Sequence, residues 1–227
     1  MAEPAPKPEL LRSLGRLARG LSALFWGLPL ALIICVQTAK TEWLRSLTVI
    51  PPLVATGLLV YGLWLLGGFQ KQERVWQNAL DRALVLGFVN FGLSPFLYWW
   101  NRVPAKPFFF FMVLLLAFSG LMFLSALNFV LDRLGAMLPD EALRAETRQF
   151  TALNRNLILA TVLLTFGYFV ANQFESLPLW LATILSIIDR SSFWFLIPLV
   201  LLPLAMTMAL LWKTKEVILD SVFGAER

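Results

Sequence analysis

The 227-residue chain contains no histidine and a single cysteine, Cys35. Without histidine it lacks the commonest general base near neutral pH and the commonest ligand for zinc, copper or haem. One thiol closes no internal disulfide, and the usual four-ligand zinc and iron–sulfur sites are excluded with it. Charge is also scarce. Asp, Glu, Lys and Arg make up 15% of the residues, against roughly a quarter in soluble domains. Catalytic signatures are missing too: there is no glycine-rich phosphate loop and no Gly-x-Ser-x-Gly. The expectation is therefore a protein that is not an enzyme and holds no cofactor or metal.

Apolar sequence dominates instead. The hydrophobic fraction is 59% and the mean hydropathy is strongly positive, so lipid is the natural solvent for this chain. A helix needs about 20 apolar residues to cross roughly 30 Å of hydrocarbon. Six stretches fit: 21–39, 48–68, 83–100, 107–131, 156–173 and 193–212. The expected fold class is an all-α integral membrane protein with six transmembrane helices. Residues 1–20 form a cytoplasmic segment, 21–212 the transmembrane domain and 213–227 a tail. The run 177–188 is too short to span and reads as an interfacial or re-entrant helix. Residues 21–37 read as a retained first helix, because the run is longer than a signal-peptide core and no clean cleavage site follows it.

Cationic residues set the direction. Four Lys or Arg precede the first span, three follow the second, four follow the fourth and three lie in the tail, fourteen in all against five on the other side. The positive-inside rule puts both termini in the cytoplasm, as for a multi-pass protein of a bacterial cytoplasmic membrane. The net charge of +5 is accounted for by this asymmetry, and nucleic acid is not an expected partner.

Residues 8–20 form a basic amphipathic helix if helical, with Leu10, Leu14 and Leu17 on one face and Arg12, Arg16 and Arg19 on another. Leucines sunk into the headgroup boundary and arginines on phosphates are the expected arrangement. A related pattern recurs further on. NALDRALVLGF (78–88) and TALNRNLILAT (151–161) share Ala, Leu, Arg, Leu and Leu in register, and a weaker Leu14-Gly15-Arg16 precedes the first span. The even-numbered spans carry proline: Pro51 and Pro52, Pro107, and Pro198 with Pro203. Two readings stand. Three parallel two-helix hairpins descend from a duplicated unit, or each arginine simply marks a cytoplasmic helix end. Either way Arg82 and Arg155 join Arg12, Arg16 and Arg19 as candidate lipid-headgroup contacts.

The loop 132–155 reads as a short helix beginning near Pro139. No charged residue falls inside the six spans, which argues against ion-coupled transport or proton pumping. Candidate packing residues are Ala23, Gly27 and Ala31, a small-residue stripe, and Asn90, expected to bond across helices. Tryptophans Trp43, Trp99, Trp100, Trp180 and Trp194 on one side, and Trp64, Trp76 and Trp212 on the other, read as interfacial belts. The functional expectation is a non-catalytic polytopic subunit that packs against membrane lipids and protein partners within a larger membrane complex. The alternative is a facilitator or transporter of a small solute or lipid, with a neutral path near Asn90, Tyr61 and Tyr168.

Overall fold

The structure is a computed structural model describing residues 8–41, 45–70, 72–138, 141–171, 183 and 200–220. Apart from a short 3₁₀ turn at Arg45–Leu47, every regular element among them is α-helical. In chain order these are α1 (Pro8–Lys40), α2 (Ile50–Leu66), α3 (Arg74–Leu93), α4 (Phe96–Arg102), α5 (Pro107–Met137) and α6 (Glu141–Ala171), followed by α7 over 200–220. Four segments are long and apolar enough to cross a membrane: Arg12–Lys40, Arg74–Arg102, Pro107–Met137 and Arg144–Gly167. α2 is apolar but shorter, at 17 residues. Of the sixth expected span, 200–212 is helical and 193–199 lies outside the described residues, as do Trp43, Trp180, Trp194 and nearly all of 177–188.

The helices run beyond the apolar stretches. α1 absorbs the basic segment and the first span into one helix of 33 residues, so 8–20 is no separate helix lying in the headgroup plane. Its leucine face is turned inward: Leu17, Leu21, Leu24 and Leu28 are buried in the main core. The spacing of four, three and four residues is that of a helix–helix seam. α3 begins at Arg74, well before the expected start of the third span. α6 begins at Glu141 and continues without a break, so the expected short loop helix and the fifth span are one element of 31 residues. At 1.5 Å per residue such helices reach about 45–50 Å, longer than hydrocarbon requires. The ends fit their sequences: Pro51 and Pro107 stand in the first turns of α2 and α5, where a missing backbone N–H costs nothing.

The long helices pair in chain order, with the short α4 left aside. α1 packs on α2, α3 on α5, and α6 on α7 through Asn154 and Thr207. Contacts of α2 with α3 and of α5 with α6 join the pairs. Tightest is the approach of α1 and α2, where a Cβ on Gly20 would stand 2.4 Å from Leu66 Cδ1 and 2.9 Å from the Gly62 carbonyl oxygen. Gly27 meets Leu59 in the same seam, and a Cβ there would stand 2.9 Å from Leu59 Cδ2. Ala31 is buried as well, whereas Ala23 is only half-buried. Gly20 and Gly27 thus stand at the close crossing with α2, Ala31 lines a cavity between the helices, and Gly20 lies three positions before Ala23.

The outside of the bundle is apolar. Trp26 is 67% exposed, Trp64 68%, Phe166 65% and Leu163 60%. Trp76 departs from its expected belt position: it is fully buried, and its Nε1 donates to the Phe69 carbonyl at 3.1 Å. The repeated motif also divides. In α3, Leu80 is buried and Arg82 exposed; in α6, Leu153 is 51% exposed while Asn154 is buried. Matched letters therefore occupy different faces, and the resemblance is one of sequence without equivalent packing.

Candidate functional site: neutral clusters around an apolar cavity

Two polar clusters and one cavity lie between the helices. The first cluster centres on Asn90. Gly87, a turn earlier, lets α3 come close to its neighbours, with Val60 Cγ2 at 3.3 Å and Phe123 Cε2 at 3.5 Å from where its Cβ would be. Asn90 is buried, and its Oδ1 accepts the Ser119 hydroxyl of α5 at 2.5 Å. Nearby, Thr56 Oγ1 donates to the Pro52 carbonyl at 2.7 Å and Ser94 Oγ to the Phe91 carbonyl at 2.9 Å. Such back-bonding lets a hydroxyl sit in an apolar interior without an outside partner.

The second cluster was not singled out by the sequence. Thr207 of α7 accepts Nδ2 of Asn128 at 2.9 Å and Nδ2 of Asn154 at 3.0 Å, and its own hydroxyl donates to the Pro203 carbonyl at 2.8 Å. One oxygen thereby joins α5, α6 and α7. Asn154 Nδ2 also reaches the Pro203 carbonyl at 3.2 Å, so that carbonyl accepts from two side chains of the cluster. The Oδ1 atoms of Asn128 and Asn154 are buried and have no partner. The signal available was three uncharged hydrogen-bonding residues within or beside apolar runs, but nothing in a linear pattern shows that they converge.

The clusters also fix relative depth. Arg82 lies eight residues before Asn90, about 12 Å along α3. Asn128 lies nine residues after Ser119, about 14 Å along α5, and Arg155 follows its partner-by-hydroxyl Asn154. Arg82 and Arg155 thus stand within a few ångströms of the same level, and both are exposed, as are Arg12, Arg16 and Arg19. Arg144, one of the four cations after the fourth span, closes a helix end. Its Nη2 donates to the carbonyls of Ala136 and Leu138, both at 3.2 Å, closing the C-terminus of α5. Such a cation also complements the negative end of the helix dipole.

Between α1, α3, α5, α6 and α7 lies a cavity of about 470 Å³, within the roughly 300–1,000 Å³ of small-molecule sites. Its wall is overwhelmingly aliphatic and aromatic, with Cys35, Asn90 and Thr161 among the few polar lining residues. No acid or base lines it among the described residues. Tyr61 of the expected neutral path is not there: it is 52% exposed and stacks on Trp64 at the outside. The side chain of Tyr168 lies outside the described residues. Among the described residues no cluster of acidic or cysteine side chains could hold a metal ion.

The chain matches no protein-family model, no curated protein and no solved structure.

Proposed function

We propose that this protein is a six-span component of a bacterial cytoplasmic membrane, with both termini cytoplasmic, acting as a non-catalytic subunit that packs against lipid and protein partners. The observation that carries the reading is the distribution of polarity. Among the described residues, large apolar side chains cover the outside, while the buried polar side chains are neutral and mostly committed to helix contacts. That is the reverse of a water-soluble bundle and suits a helix bundle in hydrocarbon. The residues Gly20–Ala39 of α1 contain no charge, and twenty residues at 1.5 Å match the roughly 30 Å of a bilayer core. Exposed arginines at both Arg82 and Arg155 suit a cytoplasmic headgroup layer.

Native purification in mild detergent, with identification of co-eluting proteins, tests the subunit assignment. A stoichiometric complex is expected. A stable lone chain that exchanges solute across liposomes would overturn it in favour of the second reading, a facilitator. One observation favours that alternative: Asn90 lies in the wall of a cavity large enough for a small molecule.

A further inference from the structure

We propose that the cavity seats one acyl chain of an anionic phospholipid drawn from the leaflet at the Lys40 end of the bundle. This deepens the membrane reading and rests on it. Along α1 the lining runs from Leu28 to Ala39, and along α5 from Val113 to Leu124. Each stretch covers eleven residue steps, about 16 Å at 1.5 Å per residue, and half of a roughly 30 Å hydrocarbon core is about 15 Å. The apolar lining therefore extends for about one leaflet's length on each helix, reaching the Lys40 end on α1 and starting about 10 Å beyond Lys106 on α5.

Chemistry agrees with length. The wall offers aliphatic and aromatic carbon with Asn90 partway along it, and Asn90 Oδ1 is already engaged by Ser119. A polar solute would find few unspent partners there, whereas methylene groups lose nothing. At the other end, Lys40 directly follows the lining residue Ala39, and Lys40, Arg102 and Lys106 are all exposed. Asn101 Nδ2 donates to the Thr38 carbonyl at 3.1 Å and the Thr41 carbonyl at 3.2 Å, which brings the neighbouring Arg102 to the end of α1. Two cations at the mouth of an apolar slot complement an anionic headgroup whose chain lies inside.

Gly120 supplies the test. It lines the cavity, and a Cβ there meets nothing within 4 Å; Gly92 is equally open but is not among the lining residues. The detergent-purified full chain would be delipidated and supplied with dioleoylphosphatidylglycerol, dioleoylphosphatidylcholine or oleate, and retained ligand read by native mass spectrometry. Wild type should keep phosphatidylglycerol. Gly120→Phe should lose at least about tenfold in affinity, Gly92→Phe should not, and Lys40→Gln with Arg102→Gln should lower phosphatidylglycerol to the phosphatidylcholine level. Equal retention by Gly120→Phe and wild type would overturn the assignment, phosphatidylcholine held as firmly as phosphatidylglycerol would overturn its headgroup part, and oleate held more firmly than phosphatidylglycerol would overturn the phospholipid in favour of a free fatty acid. A second readout needs no variant. Bound phosphatidylglycerol should slow alkylation of Cys35, which lines the cavity, by N-ethylmaleimide, and unchanged labelling would refute the proposal. Alkaline carbonate extraction separates the two levels: release from membranes defeats the membrane reading itself, while a membrane-retained chain without lipid defeats only this inference.

Discussion

Gly20 and Gly62 face each other across α1 and α2 so closely that each occupies the other's missing side chain. A Cβ on Gly20 would lie 2.9 Å from the Gly62 carbonyl oxygen, and a Cβ on Gly62 would lie 3.2 Å from the Gly20 carbonyl oxygen. Neither obstacle is a flexible side-chain end, so substitution must part the two helices. Gly20→Leu is expected to destabilise the bundle by about 1–3 kcal/mol, the usual cost of overpacking. Gly92→Leu, with open space at its Cβ, should leave the melting temperature nearly unchanged. Thermal unfolding followed by size-exclusion fluorescence distinguishes the two, and equal melting would show that the crossing is not under constraint.

Thr207 carries the second prediction. Replacing its hydroxyl with a methyl in Thr207→Val leaves Asn128 Nδ2 and Asn154 Nδ2 without the oxygen they share. A buried donor stranded in this way costs about 1–3 kcal/mol. Asn128 keeps the Leu124 carbonyl at 2.8 Å and Asn154 the Pro203 carbonyl, so the lower half of that range is expected. Thr207→Ser, which retains the oxygen, should recover most of the loss; a Ser variant as unstable as Val would point to packing of the methyl group instead.

Asn90→Leu should be mild. Ser119 loses an acceptor but still has the Leu116 carbonyl at 3.0 Å, and bonds of this kind inside membranes are worth roughly 1 kcal/mol or less. Expression and thermal stability close to wild type are expected. Abolished solute exchange in liposomes with normal expression would instead count for the facilitator reading.

Lys213 and Glu146 form an ion pair between α7 and α6, each side chain 42% exposed. Solvent screening at that exposure keeps such pairs below about 1 kcal/mol. A double-mutant cycle with Glu146→Gln and Lys213→Met should return a small coupling that fades as salt is raised. Coupling insensitive to salt would place the pair in a drier setting than its exposure indicates.

The sequence made the helical class and the apolar stretches visible because hydropathy is summed locally, residue by residue. Helix ends were harder. Nothing in residues 141–155 marks a break before the apolar stretch, and α6 runs through both as one helix. Of the candidate packing residues, Gly27 and Asn90 meet neighbouring helices, Ala31 is buried and Ala23 half-buried, while the close approach at Gly20 was not anticipated, because rotation about the helix axis depends on the partner. The leucines of 8–20 illustrate the same limit: an amphipathic face looks alike whether it meets headgroups or another helix. Thr207, Asn128 and Asn154 are 79 and 53 residues apart along the chain in their two bonds, a convergence that only the folded chain displays.

The single oxygen at position 207 also gives the bundle an order of assembly. During synthesis α5 and α6 leave the ribosome first, so Asn128 and Asn154 are made before the residue whose oxygen their Nδ2 groups share. Until α7 arrives, the two amides have only backbone carbonyls to turn to. α7 thus works as a latch that the growing chain makes for itself, and a chain halted short of it leaves both amides without their shared oxygen.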